Sequence, residues 1–197
     1  MVNLAGALQN LGYNVQAIEW LDRAIALHPQ KCAVAHYNKA IIFESMQRRE
    51  DAEASFRAAI DQKPDFFAAH NDLGNLCILT GQYEKARECF LKLLELRPGD
   101  AHGLTSIGNI HFLEGETGQA LGYFMKALES DPDMTSTLAN TAWILATAAD
   151  DSLRDAPKAL LHAKRAVELS KREDPSILQV LAGAQAAAGE FDQAVAT

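Results

Sequence analysis

A spacing of 34 residues recurs along the chain and constrains its fold more than any other feature. The stretch "HNDLGNLCILTGQYEKARECFLKLLELRPGD", which begins at His70, aligns with "LTSIGNIHFLEGETGQALGYFMKALESDPDM", which begins at Leu104. The aligned places hold residues of the same kind: Leu73-Gly74 and Ile107-Gly108, Gly81 and Gly115, Ala86 and Ala120, Phe90 and Phe124, Pro98 and Pro132. A fixed period of this length is typical of one supersecondary unit stacked many times.

The same period continues in both directions. Towards the N-terminus it passes through Ala40, Ala52, Phe56, Ala59 and Pro64, and then, after one extra residue near Gln30, through Ala5, Gly12, Ala17, Leu21, Ala24 and Pro29. Towards the C-terminus it passes through Leu138, Ala142 and Leu145, an insertion near residues 150–155, and then Ala159, Ala163, Ala166, Leu178, Leu181, Gly189 and Ala194. We therefore expect a single array over residues 1–197, with units at about 1–32, 33–66, 67–100, 101–134, 135–174 and an incomplete 175–197.

The residues between the recurring glycine and proline positions favour helices. Ala, Leu, Glu, Lys and Gln dominate, all of them strong helix formers, and the alternation typical of strands is not found. The pattern predicts first helices (helix A) near 2–11, 33–46, 67–80, 101–114, 135–148 and 175–188. It predicts second helices (helix B) near 15–28, 49–62, 83–96, 117–130 and 156–170, and the start of another at 191. The fold class is therefore all-α.

These residues resemble the tetratricopeptide repeat (TPR) family, whose 34-residue unit carries Leu-Gly on helix A and Ala, Phe, Ala and Pro along and after helix B. The resemblance covers essentially the whole chain and implies a right-handed α-solenoid of stacked antiparallel helix pairs, a TPR superhelix. The chain departs from the family pattern where His36, His70 and Leu104 replace the usual Trp, and where Cys77 and His111 replace the Tyr. These changes leave the period intact.

The repeated small and aromatic residues have a packing role in this interpretation. Gly in a helix interior costs about 1 kcal/mol relative to Ala, so Gly74 and Gly108 are expected where two helices cross closely. Phe56, Phe90 and Phe124 are expected to fill the space between helix B and the next helix A. Pro29, Pro64, Pro98 and Pro132 are expected to end each helix B, because proline cannot continue a helix.

Charge and composition exclude several classes of function. The formal net charge is −8, which opposes binding to phosphate backbones, so no nucleic-acid partner is expected. No apolar run is long enough to span a membrane, and the first residues lack the basic start and apolar run of a signal peptide. The three cysteines, Cys32, Cys77 and Cys89, are read as reduced thiols, which is consistent with a cytoplasmic protein.

Catalytic and metal-binding constellations are not evident, and we expect neither an enzyme nor a cofactor. The six histidines are scattered, and Cys32 and His36 offer only two ligands where a zinc site needs about four. Phosphate loops, nucleophile elbows and HExxH are not found. The carboxylate pairs at Glu50 and Asp150 stand at helix starts, where acidic residues complement the helix dipole.

A binding role is better supported by the residues that the resemblance places on the concave face. In TPR arrays the A helices line that face, and here the predicted peptide-binding groove comprises Asn38, Asn71, Asn75, Asn109, Asn140, Tyr37, Phe112 and Trp143. An amide offers two donors and one acceptor, so a series of amides can hold the backbone of an extended peptide. The alternative is that Asn is merely tolerated on a solvated helix face. A carboxylate clamp is not expected, because Lys and Arg are missing from these places.

Two functions from different classes remain. The first is a non-catalytic protein–protein interaction scaffold that binds a peptide or partner helix in the concave groove. The second is the substrate-selecting or targeting part of a larger enzyme, for example a glycosyltransferase, whose catalytic domain lies outside this chain. The C-terminal repeats resemble those of bacterial TPR proteins, and Met1 and Thr197 fall inside predicted units, so a piece of a longer protein is expected. The last unit lacks the second half of its helix B, so Leu178, Leu181 and Phe191 are expected to be poorly covered. Apolar residues exposed in this way lead us to expect some self-association through a solenoid end.

Overall fold

The computed structural model describes residues 1–171 and 173–197, and over these ranges it consists of helices without any β-strand. The α-helices are α1 (Val2–Asn10), α2 (Asn14–Leu27), α3 (Ala33–Ser45), α4 (Arg49–Gln62), α5 (Phe67–Leu79), α6 (Tyr83–Leu96), α7 (Ala101–Leu113), α8 (Thr117–Ser130), α9 (Thr135–Thr147), α10 (Ala156–Leu169), α11 (Pro175–Ala187) and α12 (Phe191–Ala196). Every boundary expected from the sequence lies within one residue of these bounds.

The helices form two compact units, residues 1–96 with α1 to α6 and residues 97–197 with α7 to α12. Within each unit, successive helices are joined by short turns and pack against each other, so they run antiparallel. Each unit is thus an all-α stack of antiparallel helix pairs. In the described part of the chain, no helix is both long and apolar enough to cross a membrane.

The turn inside a pair requires a residue in the left-handed region. Gly81 has a φ of +72° in the turn between α5 and α6, and its N–H donates to the carbonyl of Ile78. Gln47 occupies the corresponding place between α3 and α4, with a φ of +59°. Only glycine adopts this conformation without steric cost, so the α3–α4 turn is more strained than the α5–α6 turn.

The interior of the α5–α6 pair explains the helical glycine. A Cβ atom built on Gly74 would lie 2.7 Å from Cζ of Phe90, whose side chain is fully buried. The α7–α8 pair repeats the contact, because a Cβ on Gly108 would lie 2.6 Å from Cε1 of Phe124. The close crossing predicted at both glycines is confirmed, and it is an aromatic ring of the same pair that makes it close.

Phe124 also packs against the following helix, as its place in the repeat predicted. It shares a buried cluster with Ala120, Ile144 and Ala148, and Leu153 of the insertion packs onto the same cluster. The insertion itself forms a 3₁₀ helix, Asp151–Leu153, and the N–H of Asp155 donates to the carbonyl of Leu145 at 2.9 Å. The extra residues therefore fold back over α8 and α9.

The expectation that Leu181 is poorly covered is wrong. Leu181 is 5% exposed and belongs to a buried cluster of α8, α9, α10 and α11, and Leu178 packs against that cluster. The reason is that α10 and α11 pack directly together. Phe191, on the six-residue α12, is 67% exposed, as expected from its place in an incomplete unit.

Candidate functional site

The eight residues predicted for the concave groove all lie on the first helices of the pairs. Asn75, Phe112 and Trp143 are exposed and the other five are half-buried. By helix, they are Tyr37 and Asn38 on α3, Asn71 and Asn75 on α5, Asn109 and Phe112 on α7, and Asn140 and Trp143 on α9.

In residues 1–96, the predicted residues converge on a carboxylate. The hydroxyl of Tyr37 donates to Oδ2 of Asp72 at 2.7 Å, and the side-chain amide of Asn71 donates to Oδ1 of Asp72 at 3.0 Å. The Tyr37 ring packs against Phe66, with the ring centroids 5.0 Å apart. Burial and the hydrogen bond to Asp72 both raise the pKa of Tyr37. Tyr37 is therefore a fixed support that holds Asp72 in place.

A second carboxylate lies near Asp72. Burial and then the negative charge of Asp72 raise the pKa of Glu44 above its usual range. The amine of Lys39 on the same helix pairs with Asp22 at 2.6 Å. In the described ranges no Lys or Arg side chain forms an ion pair with Glu44 or Asp72. This face of α3 and α5 is consequently electronegative.

In residues 97–197, two of the predicted asparagines bind each other. The amide nitrogen of Asn140 on α9 donates to Oδ1 of Asn109 on α7 at 2.9 Å. Each amide offers two N–H donors and one carbonyl acceptor. The bond fixes the direction of both side chains and leaves the nitrogen of Asn109 and the oxygen of Asn140 with unused capacity.

A buried hydrogen bond holds the two helices beneath this amide pair. The hydroxyls of Thr105 on α7 and Thr137 on α9 lie 2.8 Å apart, and both side chains are buried. Because a buried hydroxyl pair satisfies itself only in one register, it fixes the register of α9 against α7. That register is the one in which Asn109 and Asn140 meet.

Two aromatic side chains follow the amides along their helices. Phe112 stands three residues after Asn109, Trp143 stands three residues after Asn140, and these rings are 39% and 38% exposed. Residues three apart share one helix face. A Cβ on Gly183 of α11 would lie 3.7 Å from Cζ3 of Trp143, so the indole reaches across to the next first helix.

A cavity of about 580 Å³ lies beside Asn140. Its walls come from the N-terminal ends of α9 and α11, and they include the carboxylates of Asp131 and Asp174. Asp174 caps α11 by accepting hydrogen bonds from the N–H and hydroxyl of Ser176, and these bonds hold its pKa below the usual range. The cavity thus offers a negative charge next to the amide pair.

The five predicted asparagines occupy three places of the repeat and not one, with Asn71 at the place that Tyr37 holds 34 residues earlier. Counted in steps of 34, Asn75 and Asn109 share a place with Trp143, whereas Asn38 and Asn140 share another with Asp72. The hydrogen bond between Asn109 and Asn140 joins these last two places across neighbouring helices. Sequence reasoning placed the amides and Asp72 on this face, but it left out Glu44, which no repeated pattern singles out.

Potential metal ligands lie elsewhere than the Cys32–His36 pair. Among the described residues, His111, Glu114 and Glu116 have ligand atoms within 4.8 Å of one another. Nδ1 of His111 lies 2.5 Å from Oε2 of Glu116, so these two side chains are partners of each other. Cys32 stands at the start of α3 and its thiol donates to the carbonyl of Pro29 at 3.3 Å.

Comparison with solved structures gives close agreement in fold at low sequence identity. The pilF structure of Pseudomonas aeruginosa has a TM-score of 0.82 and 19% identity, covering 99% of this chain and 85% of that chain. PilW, a widely conserved type IV pilus biogenesis factor, has a TM-score of 0.77 and 21% identity, covering 99% and 87%. YrrB, a TPR protein with an unusual peptide-binding site, has a TM-score of 0.70 and 21% identity, covering 90% and 88%.

Comparison of the sequence with models of protein families identifies one family. A comparison with curated protein sequences found no match. The sequence model of the tetratricopeptide repeat matches residues 37–101 and 80–135, which together make up half of the chain. With the helix pairs, the Gly–Phe contacts and the related structures, this match shows that the chain belongs to the tetratricopeptide repeat family.

Proposed function

We propose that the protein is a non-catalytic interaction scaffold that binds an extended peptide or a partner helix on the exposed face of its first helices. The observation that carries the proposal is the hydrogen bond between Asn140 and Asn109. Unpaired amides on a solvated surface rotate freely, whereas these two are held in one orientation with a donor and an acceptor left over. A peptide group needs one of each.

Neighbouring side chains suggest what the bound segment contains. Phe112 and Trp143 are exposed aromatic rings next to the amide pair, and rings in such positions are common anchors of protein interfaces. The cavity beside Asn140 includes Asp131 and Asp174. On the other unit, Asp72 and Glu44 also offer negative charge. We therefore expect partner segments with apolar and basic residues.

The related structures are consistent with this role. YrrB is a TPR protein with a peptide-binding site, and PilW is a type IV pilus biogenesis factor. A solenoid of repeats presents an extended surface on which partners bind. For this chain, the same fold with a fixed amide pair and exposed rings supports binding in preference to catalysis.

The test begins with selection of peptides from a random display library on the purified protein. Trp20 and Trp143 are the two tryptophans of the chain, so a Trp20→Phe background makes Trp143 the sole reporter. A selected peptide that covers the exposed Trp143 should shift its fluorescence to shorter wavelength, and the titration gives a Kd.

Asn109→Ala combined with Asn140→Ala should weaken the peptide about tenfold or more, since two hydrogen bonds are lost and each contributes about 0.5–1.5 kcal/mol. Asn10→Ala, at an exposed amide at the end of α1, is the matched control and should leave the Kd unchanged. Circular dichroism checks that the variants fold. Selected peptides that bind the double variant as tightly as the parent would contradict the proposal.

A further inference from the structure

The cavity beside the amide pair of residues 97–197 has walls of two kinds. Its apolar walls are formed by Met134, Ala139 and Ile177, and the last two are buried. Its polar walls include the carboxylates of Asp131 and Asp174, which are both exposed and therefore within reach of a ligand. The volume of about 580 Å³ lies in the range of about 300–1,000 Å³ found for ligand pockets, so a long side chain has room to enter.

The two carboxylates have no counter-ion in the described part of the chain. None of the described residues that line the cavity is a Lys or an Arg, and neither Asp131 nor Asp174 takes part in an ion pair there. Asp133, which does not line this cavity, is different, because the guanidinium of Arg165 pairs with it at 2.8 Å. A positive charge that enters the cavity therefore meets two carboxylates that no described cation neutralises.

The acid at position 131 is not a requirement of the repeat. Asp131 directly follows α8, and the same place holds Lys63 after α4 and Arg97 after α6. A cation is favourable at the negative end of a helix dipole, whereas an acid is unfavourable there. Asp131 thus adds its charge to that of the carbonyl end of α8. A residue that breaks a local rule of this kind indicates a functional role.

Hydrogen bonds hold both carboxylates in place. Oδ1 of Asp131 accepts from the N–H of Asp133 at 3.1 Å, and Oδ1 of Asp174 accepts from the N–H and the hydroxyl of Ser176 at 2.9 and 2.6 Å. The oxygen of an asparagine side chain can accept the same bonds. The two turns therefore need an acceptor and not a negative charge, and the charges are available to a ligand.

A basic side chain fits both kinds of wall, because Lys and Arg carry an apolar stem below a charged head. We propose that the cavity takes a lysine or arginine side chain of the bound segment, with its stem against Ala139 and Ile177 and its charge at Asp131 and Asp174. The site rests on the function proposed above, since the amide pair beside it holds the backbone of the same segment.

The test uses the peptides selected on the parent protein, whose sequences should share one position that is Lys or Arg. The tightest peptide is compared with a copy that has norleucine at that position, which keeps an alkyl stem and removes the charge. Fluorescence of Trp143 in the Trp20→Phe background gives both Kd values at pH of about 8, where His102 at the edge of the cavity is neutral. The basic peptide should bind about 2- to 30-fold more tightly, the range for two exposed ion pairs, and salt should reduce the difference.

Matched variants separate the cavity from the overall charge of the protein. Asp131→Asn combined with Asp174→Asn should abolish the preference for the basic peptide and leave the Kd of the norleucine peptide unchanged, since both turns keep their acceptors. Asp133→Asn removes a carboxylate two residues from Asp131 and is the control, which should keep the preference. If Asp133→Asn reduces the preference as much as Asp131→Asn does, the effect is one of overall charge and the proposal is wrong.

The remaining outcomes distinguish this site from the proposed groove. Peptides that depend on Asn109 and Asn140 but share no basic position, or that keep their preference in the double aspartate variant, would overturn the basic-side-chain site alone. A shared acidic position would also overturn it, and would indicate an anion at the N-terminal ends of α9 and α11. Peptides that bind regardless of the two asparagines, or a selection that yields no peptide, would overturn both proposals. If circular dichroism shows that the double aspartate variant does not fold, the comparison of Asp131→Asn with Asp133→Asn decides.

Discussion

The helix pairs α5–α6 and α7–α8 share one interior contact and differ in almost every polar residue around it. In the first pair Phe90 rests on Gly74, and in the second Phe124 rests on Gly108. On the exposed side, however, α5 carries the carboxylate of Asp72, held by Tyr37 from α3. The neutral amide of Asn109 on α7 instead pairs with Asn140 on α9.

The difference separates what the repeat requires from what it leaves free. The Gly–Phe contact must recur, because each pair buries its own ring and stacks on its neighbours. The outward residues of the first helices carry no such requirement, so α3 and α5 present Glu44 and Asp72 where α7 and α9 present an amide pair with aromatic rings. Equivalent substitutions in the interior should therefore have equal effects on stability in both pairs, whereas substitutions on the exposed faces should not.

The largest effect on stability is expected when the buried phenylalanine rings are removed. Phe90→Ala and Phe124→Ala should each lower the free energy of unfolding by about 3–5 kcal/mol, because both rings are fully buried and leave a cavity. Urea denaturation followed by circular dichroism measures the loss. Leu91→Ala, at an exposed neighbour on α6, should change stability by less than about 0.5 kcal/mol. If one phenylalanine variant loses about 3–5 kcal/mol of unfolding free energy and the other loses less than about 1 kcal/mol, the interiors of the two helix pairs are not equivalent.

The next largest effect is expected from Gly→Ala substitutions, which should lower stability at two glycines and raise it at a third. Gly74→Ala and Gly108→Ala should destabilise the protein by about 1–3 kcal/mol, because the new methyl groups would lie 2.7 and 2.6 Å from ring atoms. Gly122 lies inside α8, and a Cβ there would meet nothing within 4 Å. Gly122→Ala should stabilise by about 0.4–1 kcal/mol, since it only restricts the unfolded chain and improves helix propensity. Thermal unfolding of the three variants should show opposite shifts of Tm, and stabilisation by Gly74→Ala or Gly108→Ala would disprove the steric role of the two glycines.

Sequence reasoning succeeded where the repeat imposes a contact. The 34-residue period predicted the helices and the close approach at Gly74 and Gly108, since a glycine that recurs inside a helix weakens it unless a larger side chain would collide there. It also placed the Asn residues on the first helices. It did not predict that Asn109 and Asn140 bind each other, because they lie 31 residues apart and stand at different places of the repeat.

The remaining features depend on three-dimensional packing that a period does not encode. Leu181 was expected to be exposed because its repeat is incomplete, but α10 covers it. Nε2 of His70 lies 2.9 Å from the carbonyl oxygen of Pro64, a contact that the repeat period does not predict.

The smallest effect tests whether the acidic face of α3 and α5 responds to pH. Burial and Asp72 raise the pKa of Glu44 in the folded state, so the folded protein binds this proton more tightly than the unfolded chain. Stability from this group therefore rises as the pH falls through the raised pKa towards the usual value. Glu44→Gln should stabilise the protein by about 0.2–1 kcal/mol at pH 7, an estimate reduced for its partial exposure, and should have no effect below pH of about 4.

Glu53 in the same unit is the matched control, because its pKa moves in the other direction. Burial alone would raise that pKa, but hydrogen bonds from Gln82, Lys85 and Arg57 outweigh it and hold the pKa below its usual value. The stability that Glu53 contributes is present above the usual pKa and is lost as the pH falls through the lowered one. Glu53→Gln should thus destabilise at pH 7 where Glu44→Gln stabilises, and Asn140→Ala in the other unit should cost the same at pH 4 and pH 7. Equal signs for the two glutamate variants in urea denaturation at pH 7 would show that Glu44 and Glu53 do not lie in surroundings that shift their pKa in opposite directions.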